Sequence, residues 1–231
     1  MAEACAIIFD IDGVLLHLTE AEENVFFQAL EDVHGITGAS RDWNSYKVRN
    51  DIEIIEELVE SHYGRTPTPQ DVRRVADRYR ALLDIGLKSG ALEVHKIEGI
   101  EPVLLELGWR DGVILGVATA NLKVAADLRL KEAGLKDWIS IGGYADGRGP
   151  KSEILRQVIA RLRDDAGKPI PKERIVFLGD NPNDVRAGVE NGVHFIGFAV
   201  NDAQDKLLRD AGAQTILSDH LETLRTIDKL L

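Results

Sequence analysis

Asp10 and Asp12 stand one residue apart, with Gly13 behind them to allow a sharp change of backbone direction. A third carboxylate, Asp180, opens the stretch Asp180-Asn181-Pro182-Asn183-Asp184 far along the chain. Each of these groups follows a short apolar run, and so does Thr119 in Thr119-Ala120-Asn121. Carboxylates gathered in one crevice repel one another unless a hard divalent cation sits between them, and Mg²⁺ favours few carboxylates together with substrate oxygens and water. Asp10, Asp12 and Asp180 are therefore the expected metal residues. In such a site a carboxylate can attack phosphorus, and a neighbouring one can protonate the leaving oxygen and later take a proton from water. The pattern predicts phosphoryl transfer with Asp10 as nucleophile and Asp12 as acid/base. The Thr119 hydroxyl with a neighbouring N–H would hold a phosphoryl oxygen, and Lys151, after Gly147-Arg148-Gly149-Pro150 at a helix start, would supply positive charge.

These residues need elements that bring them together. Continuous apolar runs at 4–9, 113–118, 175–178 and 193–198 read as strands buried on both faces, as in parallel sheets. Helical patterns at 124–133, 153–163 and 184–191 lie between them, with Gly134 and Gly192 as stops. The alternation predicts an α/β fold with a doubly wound, mostly parallel sheet, in which ligands bind beyond the carboxyl ends of the strands. Residues 16–96 break the alternation. Helical patterns at 20–33, 51–62 and 70–87, parted by breakers at 35–45 and 64–69, predict an all-helical insert after the first strand.

The 231 residues suit one core with a smaller inserted module, and 44% hydrophobic with 29% charged residues suits a packed core under a solvated surface. A net charge of −11 argues against nucleic acid or anionic membrane as partner, since both are bound through clustered Lys and Arg. The start of the chain has no basic segment of a signal peptide, and no apolar run is long enough to span a bilayer, so a cytoplasmic protein is expected, as monomer or homodimer. Cys5, the single cysteine, reads as a small buried hydrophobe. His17 reads as a hinge or surface residue, His34, His62, His95, His194 and His220 show no metal-ligand spacing, and Trp43, Trp109 and Trp138 read as core or interface aromatics.

Asp10-Ile11-Asp12-Gly13-Val14, Thr119 with Asn121, Lys151, and Gly179-Asp180 through Asp184 resemble, in order and spacing, the four motifs of the haloacid dehalogenase superfamily in its phosphatase branch. The resemblance implies a Rossmann-like core of residues 1–15 and 97–231 with a helical cap of 16–96. It assigns Asp10 as nucleophile and metal ligand, Asp12 as acid/base and ligand through its backbone carbonyl, and Thr119 and Lys151 as phosphate binders. Asp180 is then a ligand, and Asp184 orients Lys151 or water at the metal. Gly13, Ala120 and Asn121 complete the phosphate-binding side, and Mg²⁺ is the implied cofactor. A cap of this class, typical of phosphoglycolate phosphatases and β-phosphoglucomutases, closes over the crevice and contacts the leaving group. Specificity residues are then expected within 43–51, where Arg49 is the candidate for gripping an anionic leaving group. A phosphatase acting on a small phosphate ester, with phosphoglycolate favoured, is the expected activity. A phosphomutase, or a phosphonatase using Lys47, are the alternatives. The second aspartate, Asp12, argues against a dehalogenase, and the full set of carboxylates argues against a silent binding module.

Overall fold

The structure is a computed structural model that describes residues 3–231. Six parallel strands form one sheet: β1 (Cys5–Phe9), β2 (Val113–Ala118), β3 (Ile141–Gly143), β4 (Ile175–Gly179), β5 (His194–Phe198) and β6 (Ile216–Leu217). Their spatial order is β3-β2-β1-β4-β5-β6, so the chain reverses its winding between β1 and β4. Such a switch point opens a crevice at the carboxyl ends of the strands. Phe9 lies level with Val117 of β2 and Leu178 of β4, which puts the residues that follow, Asp10, Thr119 and Asp180, at the mouth of that crevice.

The apolar runs are continuous because both faces of the sheet are covered. Ile7, Phe9, Leu115, Val117, Val176 and Leu178 pack on one side against α4 (Ile100–Gly108), α5 (Lys123–Glu132) and α9 (Thr223–Leu230). Ala6, Ile8, Ile175 and Phe177 pack on the other against α6 (Lys151–Ile159) and α7 (Pro182–Asn191). Helix α8 (Asp202–Asp210) joins β5 to β6.

Between β1 and α4 comes the helical insert: α1 (Glu20–His34), α2 (Asp51–Tyr63) and α3 (Pro69–Ser89). Its starts and stops are written locally. Thr19 with Glu22 and Thr68 with Asp71 form capping boxes, and Gly35, Gly64 and Gly90 end the three helices in the left-handed conformation. The insert has its own core of Phe26, Leu30, Ile55, Val59, Val75 and Leu83, which reaches Leu122 and Ala125 beside α5. The chain leaves and re-enters the sheet side by side: His17 N–H donates to His95 O at 2.9 Å, and Ile97 N–H donates to Leu15 O at 3.0 Å.

The four strands and six helices expected from periodicity all form, with ends shifted by up to four residues. Besides four three-residue 3₁₀ turns, five further elements form among the described residues. β3 and β6 are three and two residues long, too short to show a period, and α4, α8 and α9 lie outside the segments that read as regular. Among the tryptophans, Trp138 packs on the core and Trp43 lines the crevice, whereas Trp109 is 78% exposed just past the end of α4.

Candidate active site

Asp10 is 7% exposed, and its backbone N–H is tied to Leu178 O at 2.8 Å across the β1–β4 seam. Its carboxylate accepts from Ile11 N–H at 2.7 Å through Oδ1 and pairs through Oδ2 with Lys151 Nζ, also at 2.7 Å. Lys151, the first residue of α6, is buried and bridges to Asp184 Oδ1 at 3.1 Å. Asp184 sits at the third position of α7, where its other oxygen accepts from Asn181 N–H at 3.1 Å in a capping box. Asp180 is held by its own backbone, since Gln204 Nε2 donates to Asp180 O at 2.9 Å.

Two glycines permit this crowding. A Cβ on Gly13 would stand 2.0 Å from Asp180 Oδ2, and Gly13 has φ +74°, a conformation that favours glycine. A Cβ on Gly179 would stand 2.3 Å from Asp184 Cβ. The sequence suggests a turn role for Gly13; the structure adds close approach to a carboxylate as the stronger reason.

Carboxylate oxygens of Asp10, Asp180 and Asp184 all lie within 4.8 Å of one another. Lys151 is the cation they share. Burial, then Asp184 and Asp10, push the Asp180 carboxyl up to about 8. Burial likewise pushes Asp10 up to about 7, with Lys151 opposing and Asp184 and Asp12 adding to the rise. Burial opposes the charge on Lys151, yet Asp10 and Asp184 outweigh it and hold the ammonium protonated. A cluster of hard oxygen donors with excess negative charge fits a divalent cation of the Mg²⁺ class. Asp184, expected behind the ligands, lies in the cluster, and the side chain of Asp12, expected to reach the metal through its backbone carbonyl, points elsewhere.

Asp12 Oδ1 accepts from Arg129 Nη2 at 2.7 Å. Arg129 is 1% exposed and also donates to Glu22 Oε1 of α1 at 2.7 Å, to Asn121 Oδ1 at 3.3 Å and to His17 O at 3.2 Å. Burial works against this charge, but Asp12 and Glu22 more than offset it, and the guanidinium stays ionised. Sequence reasoning missed Arg129. Its signal was a cation at core spacing, between Ala126 and Leu130 on the buried face of α5.

Thr119 is buried at the end of β2, where its N–H donates to Gly143 O and its Oγ1 accepts from Asn121 N–H at 3.3 Å. The insert docks on this loop and on the one before Lys151. Asp51 N–H donates to Ala120 O at 3.0 Å, and Asp51 Oδ2 accepts from Leu122 N–H at 2.8 Å. Asn50 Nδ2 donates to Ala145 O and Gly149 O, both at 3.3 Å. Burial pushes the Asp51 carboxyl up to about 7.

A cleft of about 320 Å³ joins these groups, the size of a small-metabolite site. Its floor is Asp10, Asp12, Gly13, Thr119, Lys151 and Asp180, and Ala120 and Asn121 border it. Its roof comes from the insert: His17, Phe26, Trp43, Arg49 and Tyr79. Of the three cations lining the cleft, Lys151 and Arg129 are paired, whereas Arg49 has no ion pair or hydrogen bond among the described residues. Lys47, the residue a phosphonatase would use, is exposed and lies outside the cleft lining.

Several solved structures share this fold. CbbY from Rhodobacter sphaeroides, solved in complex with phosphate, superposes with a TM-score of 0.71 at 20% identity, over 97% of this chain and 99% of that one. A hydrolase of family IA, variant 3, from Entamoeba histolytica gives 0.71 at 15%, over 99% of each chain. A protein described as a predicted phosphoglycolate phosphatase from Haemophilus somnus gives 0.69 at 18%, over 98% and 99%. No curated protein matches the chain at a significant level. The family model for haloacid dehalogenase-like hydrolases matches residues 6–192, most of the chain and every residue of the cluster, and the protein belongs to that family of hydrolases.

Proposed function

We propose that the protein is a Mg²⁺-dependent phosphomonoesterase that works through an aspartyl phosphate on Asp10 and takes a small phosphorylated metabolite with an anionic leaving group, of the phosphoglycolate kind. The observation that carries this reading is the pairing of Asp10 with Lys151 at 2.7 Å inside the carboxylate cluster, at the floor of a cleft sized for a small ester. CbbY, similar in fold, was solved with phosphate bound, which supports a phosphoryl ligand here.

In this reading residues 16–96 are the cap and the rest of the chain is the core. The phosphoryl group lies on the floor, where Lys151, the Thr119 hydroxyl and the backbone N–H of Ala120 hold its oxygens and offset their charge. A bound Mg²⁺, held by Asp10, Asp180 and Asp184 with the Asp12 carbonyl, would supply Lewis-acid charge to those oxygens. Asp10 attacks phosphorus, Asp12 passes a proton to the departing oxygen, and Asp12 then takes a proton from the water that releases phosphate. Arg49, the unpaired cation of the roof, faces the leaving group.

The test is phosphate release from a panel of monoesters with Mg²⁺ or with EDTA, alongside hydroxylamine trapping of the acyl phosphate and mass mapping of the labelled residue. Expected are metal-dependent release, a label on Asp10, and neither in a folded Asp10→Asn protein. Undiminished turnover in Asp10→Asn, or a label on another residue, would rule the mechanism out.

A further inference from the structure

We propose that Arg129 is a positioning residue for the proton-transfer step: it locks one oxygen of Asp12, leaves the other free to face the leaving group, and is itself anchored by Glu22 of the insert. The inference rests on the reading of Asp12 as the acid/base.

The contacts divide sharply. Asp12 and Glu22 have four carboxylate oxygens between them. Glu22 Oε1 is taken by Arg129 Nε at 2.7 Å, and Glu22 Oε2 by Thr19 N–H at 2.9 Å and Thr19 Oγ1 at 3.0 Å. Asp12 Oδ1 is taken by Arg129 Nη2 at 2.7 Å. Only Asp12 Oδ2 has no donor among the described residues, and Asp12 lines the cleft. The guanidinium is held in place because two further donors are fixed on Asn121 Oδ1 and His17 O and the residue is 1% exposed. A rigid fork bound at both ends fixes its partner's orientation, which a single-point ammonium does not.

Glu22 is 0% exposed in the first turn of α1, and Thr19 and His17 lie on the segment that leads into the insert. The anchor of Arg129 thus belongs to the element that would move with the cap, while Arg129 and Asp12 belong to the core. Asp12 is oriented when the insert is seated.

The chemistry assigned to Oδ2 balances. In the first step an Asp10 oxygen bonds to phosphorus, the ester P–O bond breaks, and the proton on Asp12 Oδ2 passes to the departing oxygen. In the second, water oxygen bonds to phosphorus, its proton goes to Asp12 Oδ2, and the Asp10–phosphorus bond breaks to return the carboxylate and phosphate.

Proton donation matters more as the leaving group becomes more basic, which a merely structural role cannot mimic. Phenyl phosphate and p-nitrophenyl phosphate have leaving groups of similar shape and different basicity, and kcat/KM reports the first step for both. Arg129→Lys keeps the charge and loses the fork. It should lower kcat/KM about 10- to 100-fold for phenyl phosphate and under about threefold for p-nitrophenyl phosphate, part of the usual worth of a general acid. Asp12→Asn should show the same selectivity at larger size. Glu22→Gln, which keeps the volume, should show it at about threefold to tenfold and stands in if Arg129→Lys fails to fold. Equal losses on both esters, or native values for Glu22→Gln, would overturn the proposal while a selective Asp12→Asn leaves the acid/base reading standing. An Asp12→Asn protein that treats the esters alike would remove the acid/base reading, and the role of Arg129 with it.

Discussion

Asp180→Asn should stabilise the metal-free protein while abolishing its response to Mg²⁺. The carboxyl of Asp180 is pushed from an ordinary 3.8 to about 8 by burial and by Asp184 and Asp10. A carboxyl raised in this way contributes stability that is fully present below the unfolded value, near pH 4, and is lost as pH rises through about 8. At pH 7 the unfolded chain is ionised and the folded cluster resists ionisation, a cost of up to about 4 kcal/mol at 1.36 kcal/mol per tenfold. Asp10 and Asp184 share the same repulsion, so part of that cost persists after the substitution, and a gain of about 2 kcal/mol is the expected size. For a chain of this length that is roughly 4–8 °C in the unfolding midpoint. With Mg²⁺ at a hundred times its dissociation constant the native protein should gain about 2.7 kcal/mol, and Asp180→Asn far less. Thermal unfolding in EDTA and in Mg²⁺, at pH 5 and pH 7, measures all four numbers. The gain in EDTA should shrink at pH 5, where the native cluster is largely protonated. A substitution that lowers the midpoint in EDTA at pH 7, or leaves the Mg²⁺ response intact, would refute the reasoning that an excess of buried carboxylate awaits a cation.

Gly13→Ala should cost more than an ordinary surface change, because its Cβ would meet Asp180 Oδ2 at 2.0 Å and the left-handed φ costs about 1–2 kcal/mol by itself; the check is loss of both Mg²⁺ response and phosphate release. Arg49→Ala should lower kcat/KM for phosphoglycolate relative to p-nitrophenyl phosphate by about 30-fold, near 2 kcal/mol, the lower end for truncating a charge pair because Arg49 is half-buried. Equal losses on the two esters would assign Arg49 to cap closure instead. His220, packed between Val14 O at 2.9 Å and Thr223, has its pKa lowered by burial, so the stability it contributes is present above its ordinary 6.5 and lost as pH falls. The midpoint of His220→Gln should therefore fall less than that of the native protein between pH 7.5 and pH 5.

The floor of the site was legible because its residues follow strands buried on both faces, and a buried parallel strand announces itself as a continuous apolar run. Asp10, Thr119 and Asp180 could thus be placed at neighbouring strand ends before any coordinates. What could not be read were contacts that depend on side-chain direction. Asp12 turns its carboxylate to Arg129, whereas Asp184, three residues into α7, turns into the cluster. Neither spacing nor residue type distinguishes these aspartates. Arg129 and Glu22 were hidden for a different reason. A charge on the buried face of a helix looks like a flaw in the apolar stripe until its partner, 107 residues away, is known. The capping box Thr19–Glu22 occupies only one of the two oxygens of Glu22 and leaves the other for Arg129. β3 escaped notice because Ile141-Gly142-Gly143 offers one apolar side chain, its glycines being required by Tyr144 and Val158 packed against them.

The insert and the core meet on apolar side chains and, beside Thr119 and Lys151, on backbone atoms, and this ties the seating of one to the shape of the other. Asp51 takes Ala120 O and Leu122 N–H, the groups next along the chain from Thr119. Asn50 and Glu53 take Gly149 O and N–H, two residues before Lys151. Between these, Glu56 of α2 holds Arg148 through two guanidinium bonds at 2.7 and 2.8 Å. Arg148 has φ 57° and ψ 170°, a region almost confined to glycine, with a cost of order 1–3 kcal/mol. Net hydrogen bonds of about 0.5–1.5 kcal/mol each can sustain such a conformation only while several act together. With the insert withdrawn, Arg148 would lose its partner and the loop its reason to stay strained, and Lys151 follows three residues on. In the proposed mechanism a site assembled in this way would bind its phosphoryl group best with the roof seated, so that contacts to the leaving group through Arg49 and to the acid/base through Arg129 would both act on chemistry at Asp10 without touching it.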